Sequence, residues 1–179
     1  MSPQSKSSSS GITIDRLGHL GDGVTSEGVF VARALPGERV AGTVEKGRLA
    51  RPRILEPSSQ RVKAPCRHFE ACGGCQLQHA SDRFVADWKQ DLVKQSLFRI
   101  GLGAGFRPIV SSPPHSRRRA TFAGRRTKKG AVVGFHGRRS GTMVDLGDCP
   151  VLDPRVFAIV PLLRAMVVLP SQGRQTRCV

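Results

Sequence analysis

The chain has 179 residues, a formal net charge of +16 and a pI of about 11.3. That size allows one or two small domains. The charge is extreme for an ordinary metabolic enzyme and points to a polyanionic partner, nucleic acid before an anionic membrane surface. No apolar run reaches the roughly 18 residues needed to cross a bilayer, and 5% aromatic content without tyrosine argues against a surface of many base-stacking rings.

Residues 1–10 are serine-rich and weakly basic, a composition that predicts a disordered tail. Residues 11–58 read as a small all-β unit. Ile12 and Ile14 alternate, and Gly18, Gly21 and Gly23 break the chain. Residues 29–31, 40–44 and 49–55 have strand character, with a turn at Leu35-Pro36-Gly37-Glu38. Several short strands separated by such turns suggest a barrel of the OB type. No helix pattern follows the glycines, so they mark a turn rather than a phosphate-cradling loop.

Residues 59–170 read as a second, α+β unit organised by cysteine. Cys66, Cys72 and Cys75 have a C-x₅-C-x₂-C spacing with Gly73-Gly74 between the last two, and Cys149 follows far downstream. The glycines allow a sharp bend in which amide N–H groups donate to sulfur. The count of five cysteines is odd and no apolar leader precedes them, which predicts a reduced, cytoplasmic chain with metal-binding thiolates rather than disulfides. Zinc and an iron–sulfur cluster both accept four cysteines, and spacing does not separate them. His68 and His79 flank the motif in packing or hydrogen-bonding roles.

Residues 81–100 carry apolar residues at helical spacing (Val85, Trp88, Leu92, Val93, Leu97, Ile100), with Ser81 or Asp82 to cap the start and Gly101 to end it. Trp88 is assigned to the core. From Leu92 to Val144 there are twelve Lys and Arg residues and no acid. Nine of them, Arg117, Arg118, Arg119, Arg125, Arg126, Lys128, Lys129, Arg138 and Arg139, are the candidate RNA contacts, because arginine donates two parallel hydrogen bonds to phosphate. Strands are expected over 118–125, 131–136 and 142–146. Hairpin turns at 126–130 and 137–141 would present basic residues at one end of the sheet. Asp153-Pro154 is a helix start, and Pro161 should kink or break that helix. Residues 171–179 are expected to be irregular.

Leu17-Gly-His-Leu-Gly-Asp-Gly-Val24, with Val29-Phe-Val31 and Ala34-Leu-Pro-Gly-Glu38, resembles a TRAM domain, the OB-like RNA-binding module of RNA uracil-5-methyltransferases. Pro65-Cys66 and Cys72-Gly-Gly-Cys75-Gln-Leu-Gln-His79 resemble that family's iron–sulfur motif, and Cys149-Pro-Val-Leu152 its fourth-ligand segment. Gly134-Phe135 with Ser140 is similar to a pattern of its central domain. The likeness covers residues 11–165 and is greatest to the 23S rRNA (uracil-5-)-methyltransferase type. It implies a [4Fe-4S] cluster on Cys66, Cys72, Cys75 and Cys149, and an RNA partner, rRNA or tRNA, with rRNA favoured.

In that family a C-terminal Rossmann-like domain binds S-adenosylmethionine and carries the catalytic cysteine beyond an Asp-Pro-Pro-Arg stretch. Residues 1–179 contain no match to it: Asp153-Pro154-Arg155 has a single proline, and Cys178 follows no family pattern. The expectation is a truncated or frameshifted chain, β-rich α+β, whose cofactor is the cluster alone and which is not catalytic by itself. The alternatives are a stand-alone RNA-binding module with a zinc site and a fragment without function.

Overall fold

The computed structural model describes residues 6–169 and 177–178. Contacts divide the chain into two units, one of residues 1–64 and 76–109, the other of 65–75 and 110–179.

In the first unit β1 (Lys6–Thr13), β5 (Arg39–Val44) and β7 (Arg53–Glu56) form one antiparallel sheet in the order β1–β5–β7. A second sheet has the order β2–β3–β4–β6, from β2 (Arg16–Leu17), β3 (Gly23–Val24), β4 (Phe30–Val31) and β6 (Arg48–Leu49). The expected tail and strand β1 overlap: Lys6, Ser7 and Ser8 lie opposite Val44, Thr43 and Gly42. Ladder bonds are made by backbone groups, so a serine-rich stretch can join a sheet without an apolar pattern. The single strand expected over 49–55 is two strands, parted around Pro52, which has no N–H for a ladder.

Ile14, Val31, Ala34, Val40 and Leu49 make the core of this unit, with Ile12, Val29, Val44 and Ile54 against them. Glu38 sits inside it, 0% exposed. Its carboxylate accepts the Leu35 N–H at 2.9 Å, the Ser58 N–H at 3.2 Å and Arg61 Nη2 at 2.8 Å. Burial pushes this carboxyl upward, but the Arg61 and backbone hydrogen bonds and the Arg61 charge together hold it below its ordinary value.

Helix α1 (Asp82–Arg99) begins where the sequence places it: Ser81 Oγ accepts the Phe84 N–H at 3.3 Å, and Gly101 follows the helix in the left-handed region, with φ +74°. Phe84, Val85 and Trp88 pack on Leu17, Leu35 and Ala80. These contacts assign α1 to the first unit, whereas a boundary after residue 58 puts it in the second. Local pattern located the helix but carried no information about which sheet its apolar face meets.

The second unit is a sheet in the order β10–β9–β8–β11, from β8 (Phe122–Thr127), β9 (Gly130–His136), β10 (Met143–Asp145) and β11 (Arg177–Cys178). Its core is Phe122, Val133, Leu146, Leu152 and Val160, and Phe122 stacks on Phe135 with ring centroids 5.4 Å apart. Asp153 caps α2 (Pro154–Phe157), and a break precedes α3 (Val160–Val168), whose first turn holds Pro161 as expected. The strand expected from Arg118 starts at Phe122. Arg117 instead pairs in parallel with Leu152, its N–H bonded to the Val151 carbonyl at 3.0 Å and its carbonyl accepting the Asp153 N–H at 2.9 Å. Among the described residues no helix is long and apolar enough to cross a membrane.

Candidate metal centre and basic surface

Residues 66–72 form a tight turn: the Cys66 carbonyl accepts the Phe69 N–H, and the His68 carbonyl accepts those of Ala71 and Cys72 at 3.1 and 2.7 Å. Gly73 then donates its N–H to the His136 carbonyl at 3.0 Å, while Cys72 bridges to Gly137 at the end of β9. A Cβ on Gly73 would lie 2.9 Å from that carbonyl oxygen, so only glycine permits this approach without displacement of β9. Gly74 donates its N–H to Cys72 Sγ at 3.3 Å, the amide-to-sulfur bond that the Gly-Gly pair suggests.

Cys149 arrives on the segment after β10 and packs against the core of the second unit. Burial pushes the Cys66 thiol up, and negative charge on Cys149, Asp148 and Cys72 adds to the effect. Cys66 therefore senses both Cys72, in its own turn, and Cys149, from the distant segment. Cys72 is buried, and Cys66, Cys75 and Cys149 are half-buried. Among the described residues, no three His, Cys, Asp or Glu side chains are set around a single metal position. What fits a thiolate-bound metal group is the chemistry of the donor set and the Gly74 N–H···S bond.

The segments also touch through residues that the motif did not mark. Arg67 Nε donates to Asp148 Oδ1 at 2.9 Å, and Gly147 N–H donates to His68 Nε2 at 3.3 Å. His68 thus has the hydrogen-bonding role expected of it. The sequence signal that could have revealed the pair is the acid adjoining the isolated cysteine and the base adjoining the first clustered one.

The basic candidates do not form one cluster. Arg117, Arg118, Arg119, Arg125, Arg126, Lys128, Lys129 and Arg139 are exposed and Arg138 is half-buried. Lys128 and Lys129 lie between β8 and β9, whereas Arg138 and Arg139 follow β9. Both turns were expected at one end of the sheet. Successive hairpins of an antiparallel meander must fall at opposite ends, and the seven residues of β9 separate them by about 20 Å. Arg118 and Arg119 rim a groove of about 460 Å³ with Ala120, Phe122, Ile159 and Leu163.

This β-rich chain, with its cysteine turn and arginine-bearing sheet, falls in sequence among the RNA methyltransferases. It is 41% identical over 165 residues to an uncharacterized RNA methyltransferase of Brucella suis, a match of 90% of this chain and 40% of that protein. It is 37% identical to a 23S rRNA (uracil(1939)-C(5))-methyltransferase, RlmD, of Halomonas elongata, over 87% of this chain and 35% of that one. A solved tRNA (uracil-54, C5)-methyltransferase of Pyrococcus abyssi, in complex with S-adenosyl-L-homocysteine, superposes with a TM-score of 0.62 at 24% identity. The superposition covers 89% of this chain and 38% of that chain, and shows likeness of fold. No family model matches. The chain is similar in sequence to RNA methyltransferases, 23S rRNA (uracil-C5)-methyltransferases among them, and it spans about two-fifths of the length of the curated relatives it matches.

Proposed function

We propose that these residues are the RNA-recognition and [4Fe-4S]-binding portion of an S-adenosylmethionine-dependent RNA uracil-5-methyltransferase, with rRNA as the favoured substrate. The observation that carries this is the 37% identity to an rRNA uracil-C5-methyltransferase over 87% of the chain. On this reading the first unit is an OB-like TRAM domain. Cys66, Cys72, Cys75 and Cys149 would hold the cluster, which ties two distant segments together rather than taking part in methyl transfer, a reaction without net redox change. The chain's own contribution to RNA binding is electrostatic: exposed arginines and lysines meet phosphates and set affinity and register, not sequence choice.

Binding to single-stranded rRNA, followed by fluorescence anisotropy at several salt concentrations, tests this. Each phosphate contact contributes a log–log slope of about −0.7, so six contacts give roughly −4. Lys128→Ala with Lys129→Ala changes a hairpin tip remote from the cysteine end of β9. The pair should make the slope shallower by about 1 to 1.5 and weaken unrelated RNAs alike. A flat salt dependence, or a double variant that binds as wild type, would remove this surface from RNA binding. The 179-residue chain alone, given labelled S-adenosylmethionine and unmodified rRNA, is expected to transfer no methyl group, since residues 1–179 hold no match to the stretch that binds S-adenosylmethionine and carries the catalytic cysteine in that family. Methyl incorporation would overturn the reading of these residues as non-catalytic by themselves.

A further inference from the structure

We infer that Arg67, His68, Gly147 and Asp148 form a clasp that closes the Cys149 segment on the three-cysteine turn and sets how long a metal group is retained there. This rests on the reading of the four cysteines as ligands. Three ligands come from ten consecutive residues, which their own turn already holds together. The fourth comes from a separate segment, so loss of the group can begin by withdrawal of Cys149 alone.

Two bonds oppose that withdrawal, each made by an immediate neighbour of a cysteine or the residue beside it. Arg67, next to Cys66, pairs with Asp148, next to Cys149, at 2.9 Å. His68 Nε2 accepts the Gly147 N–H at 3.3 Å and also faces Arg67 Nε at 3.3 Å. Asp148 Oδ1 also lies 3.3 Å from that nitrogen, so Arg67, His68 and Asp148 form one contact group. Gly147 is part of the fit: a Cβ there would lie 2.2 Å from Arg67 Nη2 and 3.2 Å from Cζ. An alanine would drive the guanidinium aside while leaving every charge in place.

Arg67 and Asp148 side chains are 62% and 58% exposed, so the pair contributes little to global stability. Its effect is local: residues behind metal ligands commonly alter retention by an order of magnitude or more. They act as positioning residues and touch no substrate.

The test uses the 179-residue chain purified without oxygen, with iron release to a ferrous chelator as the readout. Arg67→Asp, Asp148→Arg and Gly147→Ala should each release iron about tenfold faster than wild type. The double variant Arg67→Asp with Asp148→Arg restores the pair with reversed polarity and should return release to near the wild-type rate. Thermal unfolding of the apo forms should be unchanged, which separates a clasp from a general fold defect. Iron-loaded wild type with variants that release at its rate, or a double variant no slower than the singles, overturns the clasp alone. Wild-type protein that takes up no iron overturns the reading of the cysteines and the clasp with it.

Discussion

Purified without oxygen, the chain is expected to be brown and to carry about four iron and four sulfide. Replacement of any one of Cys66, Cys72, Cys75 or Cys149 by serine should abolish the colour, and Cys178→Ser should leave it. The four substitutions are not equivalent in the fold. Cys72 is buried, bridges to Gly137 and receives the Gly74 N–H, so its loss should also loosen the turn against β9. Cys149 belongs to the other segment, and its loss should leave the turn intact. Metal removal should therefore raise hydrogen exchange at 66–75 and 147–149 while the first unit keeps its protection. Iron and sulfide analysis with exchange mass spectrometry checks both statements. Stoichiometric zinc in colourless, folded protein would replace the cluster by a single-ion site.

Glu38→Ala is expected to destabilise the first unit by about 3 kcal/mol, because it leaves the Arg61 charge and the Leu35 N–H without their buried acceptor. Glu38→Gln keeps the shape and one acceptor oxygen, and should cost about 1–2 kcal/mol. The pH dependence has a definite sign. The folded-state carboxyl is held below its ordinary value of 4.5, so its ionised form contributes stability that is fully present above that pH. The contribution is lost as pH falls through the lower, folded-state value. Urea unfolding between pH 3 and 7 should show wild type weakening at the acid end, and Glu38→Gln should flatten that limb. An acid limb of equal depth in both proteins would assign it to other carboxylates.

What was legible in the sequence was what depends on neighbours along the chain. Ser81 and Gly101 bound α1 because capping is local, and Pro161 interrupts the last helix because a missing N–H is local. The spacing of Cys66, Cys72 and Cys75 marked the turn for the same reason. What was not legible depends on partners distant in sequence. Phe84 and Trp88 could have packed on either sheet; only their meeting with Leu17 and Leu35 assigns them. Arg117 looked like the first residue of a run of alternating side chains, yet its backbone is claimed by residues 151–153. The bond between Arg67 and Asp148 spans eighty-one residues and has no periodicity to betray it. The placement of the two basic hairpins was derivable from strand order, since a meander alternates its ends.

The division of the second unit between residues 65–75 and 110–179 has a consequence for the growing polypeptide. Cys149 is synthesised 74 residues after Cys75. At translation rates of about 5–20 residues per second, the first three thiols wait on the order of 4 to 15 seconds for the fourth. On the proposed reading of these cysteines as ligands, for that interval they form an open, three-sided trap on a nascent chain. Whatever supplies metal during synthesis meets an incomplete site, and an oxidant meets three unshielded sulfurs. Meanwhile the intervening residues 76–109 can complete the first unit. On the proposed reading, Cys149 completes the ligand set before Leu152 and Val160 close the core of the second unit, so the order of emergence, besides affinity, bears on which ion is enclosed.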